Sequence, residues 1–156
     1  MKTSERGIAL LTYLEGFRED VYLDQAGLPT IGFGHLLSPR ERATDAFRYG
    51  VSKRGGRLLL EEDLAWAEKT VEEEVKTDLS QNEFDALSSF VFNIGKAGFA
   101  RSTALARLNN GDRKGAAEAM RWWNKVRSGT KKVVSDGLAH RREMEIALFL
   151  DGDYGV

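Results

Sequence analysis

Cysteine is absent from this 156-residue chain. That excludes disulfides, thiolate metal sites and cysteine nucleophiles. Histidine occurs only twice, so a His-rich metal site is not expected, and neither is a cofactor. Long apolar runs are missing as well. The N-terminal stretch from Ile8 to Leu14 is short and broken by Thr12, well under the ~20 residues of a membrane span. No small-residue cleavage site follows a long apolar run, so no signal peptide is expected and the chain should be made in the cytosol. Strong net charge is lacking too. A formal charge of −1 argues against a dedicated nucleic-acid binder.

What is present points to a folded domain. Hydrophobic residues make up 42% and charged residues 30%, enough for a core under a polar surface, and the length suits one domain with room for two lobes. Charge is unevenly spread. Residues 1–60 carry 9 basic and 7 acidic side chains, residues 61–90 carry 2 and 10, and residues 91–156 carry 12 and 7. The basic remainder could favour an anionic polymer; the acidic segment reads equally as a solvated helix face.

Local patterns place the elements. Ile8, Leu11 and Leu14 fall at helical spacing, with Thr3 or Ser4 as cap and Gly16 as stop, which predicts a helix over 4–14. Two β-prone runs around Asp24-Gln25-Ala26-Gly27 predict a hairpin within 17–35. Gly32 and Gly34 mark positions where a side chain would be in the way. Residues 50–57, GVSKRGGR, read as a flexible basic loop able to absorb rotation. From Glu61, apolar residues stepping by three or four predict a long helix to residue 79. Ser80-Gln81-Asn82-Glu83 fits a capping box and opens another helix, ended by Gly95 or Gly98. Further helices are expected over 102–110, 113–123 and 136–150. The class is α+β: a β-containing lobe over 1–60, a linking helix over 61–79, and a helical lobe over 80–156.

One constellation carries chemistry. Glu15 ends an apolar helix, Asp24 sits nine residues on in the hairpin turn, and Thr30 lies six beyond, beside a Gly-x-Gly. A carboxyl partly withdrawn from water keeps its proton, whereas one in a polar turn stays ionised. Such a pair supplies the acid and the base of glycoside hydrolysis. Spacing alone is also compatible with a helix-terminal carboxylate and a turn former.

A resemblance adds weight to the chemical reading. The run Leu14-Glu15-Gly16-Phe17-Arg18, then Tyr22-Leu23-Asp24, then Gly27-Leu28-Pro29-Thr30-Ile31-Gly32-Phe33-Gly34-His35-Leu36, resembles the phage lysozymes, or endolysins, of glycoside hydrolase family 24. Similar segments follow in the family's order: Asn82 to Leu87 with Phe90 to Gly95, then Phe99 to Thr103, then Arg121-Trp122 with Gly137-Leu138 and Arg141-Arg142-Glu143. The resemblance implies a lysozyme-like fold and hydrolysis of the β-1,4 bond between N-acetylmuramic acid and N-acetylglucosamine. It makes Glu15 the general acid, and Asp24 with Thr30 the holders of the attacking water. It implies inversion, His35 as a support of the hairpin, and Leu36 and Phe92 facing saccharide, with core packing the alternative for Phe92. Ser102 or Thr103 would be another sugar contact, and Arg141 or Arg142 the partner of Glu15. Trp122 would be buried; Trp123 reads as partly buried at a lobe edge, with exposure and sugar stacking the alternative. The implied partners are peptidoglycan and, for passage to the periplasm, a separate holin; a monomer and no metal are expected. A lytic transglycosylase, a silent wall-binding protein and a helical adaptor are the competing readings. The last leaves the TIGFGH segment without a role.

Overall fold

In the computed structural model, which describes residues 1–156, Ser4 starts the first helix. Its hydroxyl accepts the Gly7 N–H at 3.1 Å, satisfying one of the four N–H groups that a helix start leaves without a partner. Helix α1 (Glu5–Glu15) ends at Gly16, whose φ of +71° suits glycine. Strands β1 (Arg18–Leu23), β2 (Pro29–Gly32) and β3 (His35–Leu36) then form an antiparallel sheet in that order. Tyr22 stands opposite Thr30, and Thr30 opposite Leu36. Helix α2 (Pro39–Ala43) carries a capping box between Ser38 and Glu41.

The next helix differs from its predicted span. Helix α3 runs Lys53–Glu74, so the expected flexible loop over 50–57 is largely helical, and the helix stops short of residue 79. Ser52 starts it by accepting the Gly55 N–H at 3.0 Å. The glycines are there for packing. A Cβ on Gly56 would stand 3.0 Å from the Phe17 ring and 3.3 Å from the Phe33 ring. At the far end Asn109 closes the helix: its side-chain amide donates to the Glu74 carbonyl at 3.0 Å and its oxygen accepts the Lys76 N–H at 2.8 Å.

Helix α4 (Gln81–Ile94) begins at the predicted capping box of Ser80 and Glu83 and ends at Gly95. Short helices α5 (Lys96–Ala100), α6 (Thr103–Asn109) and α7 (Arg113–Arg121) follow. The predicted cap Asp112 accepts the Gly115 N–H at 2.8 Å. A hairpin that the sequence patterns did not single out, β4 (Lys125–Ser128) with β5 (Lys131–Val134), precedes helix α8 (Asp136–Asp151). The class is α+β, as predicted. No helix is long and apolar enough to cross a membrane.

The chain forms two compact units, Leu11–Ala65 and Met1–Leu10 with Trp66–Val156. In the first, the β-containing unit, Leu11, Ile31, Leu60 and Leu64 are buried. In the second, the helical unit, Phe84, Leu87, Phe90, Phe99, Leu108, Met120 and Phe149 form the core. Buried Asp85 ties that unit's termini together. It accepts the Ser4 N–H at 3.0 Å, the Gln81 amide at 2.8 Å and the Tyr154 hydroxyl at 2.7 Å.

Trp122 reverses the expectation, whereas Trp123 is partly buried as read. Helix α7 stops at Arg121, so Trp122 and Trp123 leave the helical course. Trp123 turns its ring edge-on to Phe90, with centroids 6.3 Å apart, and its carbonyl accepts from Arg142 at 2.8 Å. Trp122 is 51% exposed, with the Arg107 guanidinium 5.0 Å from its ring centre.

Candidate active site

The β-containing unit gathers Glu15, Asp24 and Thr30 around β1 and β2. Glu15 is the last residue of α1, and one of its carboxylate oxygens would lie 3.1 Å from a Cβ placed on Gly34. Gly34 has φ +80° and Gly32 has φ +67°, a region that L side chains rarely enter. A Cβ on Gly32 would come within 3.3 Å of the Gly56 Cα. Both glycines therefore sit where the sequence reading wanted room: one under the carboxylate, the other under a helix backbone.

Asp24 is held by its own turn. Oδ1 accepts the N–H groups of Ala26 and Leu28, each at 2.9 Å, which is the local bonding that makes aspartate a turn residue. Oδ2 makes no protein hydrogen bond in the structure. The Leu28 carbonyl accepts the Asp24 N–H and the buried Thr30 hydroxyl, both at 2.9 Å. Leu28 thus couples the Thr30 hydroxyl to the Asp24 turn. Tyr22, opposite Thr30, was not singled out from sequence. Its phenol is pushed above the usual range, first by burial, while Arg18 opposes the shift and the Glu15 and Asp24 carboxylates add to it. The Arg18 guanidinium lies 4.4 Å from the Tyr22 ring centre.

His35 spends both ring nitrogens on support. Nδ1 lies 2.8 Å from Asp63 of α3, and Nε2 lies 3.0 Å from Glu41 of α2. Burial alone would lower the pKa of this imidazole, but the hydrogen bonds to Asp63 and Glu41 outweigh it and the pKa is raised. A structural role explains the residue without any direct contact to substrate. Asp63 was not legible as the partner, because it lies 28 residues away. Glu41 carried one signal, the Ser38-to-Glu41 capping spacing.

The remaining candidates have defined settings. Leu36 is 51% exposed on the edge strand β3. In the helical unit, Phe92 stacks on Trp66 with centroids 6.1 Å apart. Ser102 caps α6: it accepts the Leu105 N–H at 3.1 Å and donates to the Phe99 carbonyl at 2.7 Å. Thr103 is the first residue of that helix. Arg141 is buried, donating to Glu145 at 3.1 Å and to the Ser89 carbonyl at 3.1 Å. Arg142 donates to the Trp123 carbonyl, Glu145 and Asn93, so each of its three nitrogens is engaged within its own unit.

This architecture, a helix-borne glutamate beside a glycine-rich three-stranded sheet joined to a helical unit, is of the lysozyme class. The chain belongs to the phage lysozyme family, whose model matches residues 12–145. It is 39% identical over 150 residues to the endolysin of Salmonella phage P22, covering 96% of this chain and 99% of that one. The structure resembles an endolysin from Escherichia coli O157:H7 phage FAHEc1, with a TM-score of 0.87 and 36% identity over 99% of this chain and 96% of the other. It also resembles the muramidase domain of SpmX from Asticaccaulis excentricus, with a TM-score of 0.85 and 37% identity over 96% and 97%. Membership makes the chain a lysozyme-type hydrolase of cell-wall peptidoglycan.

Proposed function

We propose that this chain is an inverting muramidase of host cell lysis that cleaves the β-1,4 bond between N-acetylmuramic acid and N-acetylglucosamine. Glu15 gives its proton to the glycosidic oxygen as the bond to the anomeric carbon breaks. Water held by Oδ2 of Asp24 and the Thr30 hydroxyl attacks that carbon from the opposite face. Asp24 takes the proton that the water loses, so the proton count closes over the reaction. Leu36 offers an apolar surface to a sugar face, and Phe92 offers another. One observation supports the reading: the Glu15 carboxylate borders Gly34 of the sheet, while the Leu28 carbonyl joins the Asp24 turn to the Thr30 hydroxyl in the same unit. The muramidase named among the structural relatives supports the choice of bond. The enzyme acts as a monomer, is made in the host cytoplasm, and reaches the periplasmic wall after a holin opens the membrane.

Glu15→Gln tests the assignment on purified peptidoglycan. The amide cannot donate the proton, and turnover should fall by about 10²–10⁴-fold with an unchanged circular-dichroism melt. Wild-type turnover by this variant would overturn it. Product masses separate hydrolysis, which adds one water per cleaved bond, from transglycosylation, which yields an anhydro sugar. NMR of the first-formed anomer checks inversion; a β product from the β substrate would contradict it.

A further inference from the structure

The β4–β5 hairpin has no part in the proposed chemistry, and its composition is unlike the rest of the chain. Residues 125–134, Lys-Val-Arg-Ser-Gly-Thr-Lys-Lys-Val-Val, contain four cations and no carboxylate. All eight strand residues are exposed, and none of the four cations forms an ion pair. Gly129, with φ +64°, opens the two-residue turn.

The pairing register shows what this arrangement costs. Arg127 stands directly opposite Lys132, and Val126 directly opposite Val133. Like charges in opposed positions weaken a strand pair, and a two-stranded ribbon is marginal in water to begin with. One face carries Lys125, Arg127, Lys132 and Val134; the other carries Val126, Ser128, Lys131 and Val133. Beyond the strands, only the Ser135 N–H to Asn124 carbonyl bond, at 2.8 Å, closes its base. Half-exposed Trp122 lies two residues before that base.

We propose that this hairpin is a docking surface for a bilayer rich in anionic phospholipid. Such a surface answers each feature. Lipid phosphates neutralise the opposed Arg127 and Lys132, a leaflet's negative potential attracts clustered lysines and arginines, and exposed valines gain from entering the headgroup and acyl boundary. Tryptophan favours the same depth. A hydrated wall polyanion would satisfy the cations and leave Val126, Val133 and Val134 in water. A single-stranded nucleic acid would call for stacking aromatics within the ribbon, which has none.

The test uses the full chain and sedimented vesicles of phosphatidylcholine with and without phosphatidylglycerol. The wild type should sediment with phosphatidylglycerol vesicles at low salt, show a blue shift of tryptophan emission, and be released at high salt. The shift should shrink in Trp122→Phe. Arg127→Gln combined with Lys132→Gln removes the opposed charges and the strain between them, so folding should be kept while vesicle binding falls at least about tenfold. Hydrolysis of purified peptidoglycan by this double variant should stay at the wild-type rate. Val126→Thr with Val133→Thr, which keeps β propensity, should weaken binding as well. Equal binding to pure phosphatidylcholine, no binding to either vesicle, or unchanged binding by the charge variant would overturn the proposal. So would a changed KM on peptidoglycan for the charge variant, which would place the wall on this surface. The vesicle readout does not depend on hydrolysis, so a failure of the muramidase reading would be seen separately.

Discussion

Two β ribbons occur in this molecule, and they are held in opposite ways. The β1–β3 sheet is secured from outside itself. His35 is gripped by Asp63 and Glu41, Gly32 lies against Gly56 of α3, and Gly34 leaves space for the Glu15 carboxylate. The β4–β5 ribbon has its own ladder and one bond at its base, and every strand side chain is exposed. A catalytic site needs its groups fixed to a fraction of an ångström; a surface that meets a fluid partner does not. The contrast predicts that substitutions in the first ribbon damage activity or stability and that those in the second leave activity unchanged.

The largest effect expected from that contrast is at Gly34. Gly34→Ala puts a methyl 3.1 Å from Glu15 in a backbone region hostile to side chains. Displacing a catalytic group by about 1 Å can cost on the order of 10²-fold in rate. A turnover assay on purified walls checks it, and wild-type activity would break the link drawn between this glycine and Glu15. Next is Gly56→Leu, which forces a side chain between Phe17 and Phe33. Overpacking of this kind costs about 1–3 kcal/mol, measurable as a lower urea midpoint. An unchanged midpoint would mean that the loop reading of 50–57 was the better one after all.

A smaller effect concerns pH. Because the pKa of His35 is raised in the fold, the native state binds more protons than the unfolded chain above the ordinary histidine value of about 6.5. The stabilisation is complete below that value and drains away as pH rises through the folded pKa. His35→Asn should flatten the fall in stability from neutral to mildly alkaline pH. An unaltered slope in the variant would assign the pH dependence to other groups. The smallest effect is at Gly129. A Cβ there meets open space, so only the φ of +64° is strained. Gly129→Ala should cost about 1 kcal/mol, the lower end of what a left-handed backbone costs a side chain, and leave wall hydrolysis alone; a large loss of activity would join the two ribbons functionally.

How much of this could be read in advance followed the same divide between local and distant causes. The Ser80–Glu83 capping box, the Asp112 cap and the Gly16 stop are written within a few residues of where they act, and each stands where it was expected. Gly55 and Gly56 resemble loop residues locally, yet Phe17 and Phe33, far back in the chain, require one of them to be small inside a helix. Trp122 came out exposed because α7 ended two residues sooner than the pattern implied. The β4–β5 ribbon escaped notice because it faces solvent on both sides and lacks the regular apolar–polar alternation of a half-buried strand. Glu15, Asp24 and Thr30 could be chosen by spacing and resemblance. The Leu28 carbonyl that couples Thr30 to the Asp24 turn, and the place of Tyr22 opposite Thr30, required the strand register.

The anchoring of Ser4 on Asp85, with Tyr154 on the same carboxylate, has a consequence for the order in which the newborn chain can fold. Residues 11–65 are a continuous stretch and can collapse as soon as they leave the ribosome. The first ten residues settle later, because Asp85, the partner of Ser4, lies 81 residues on. At about 5–20 residues per second, Ser4 waits several seconds for Asp85, and Asp85 waits longer still for Tyr154. The helix that ends in Glu15 therefore gains a seated beginning only once α4 has been made.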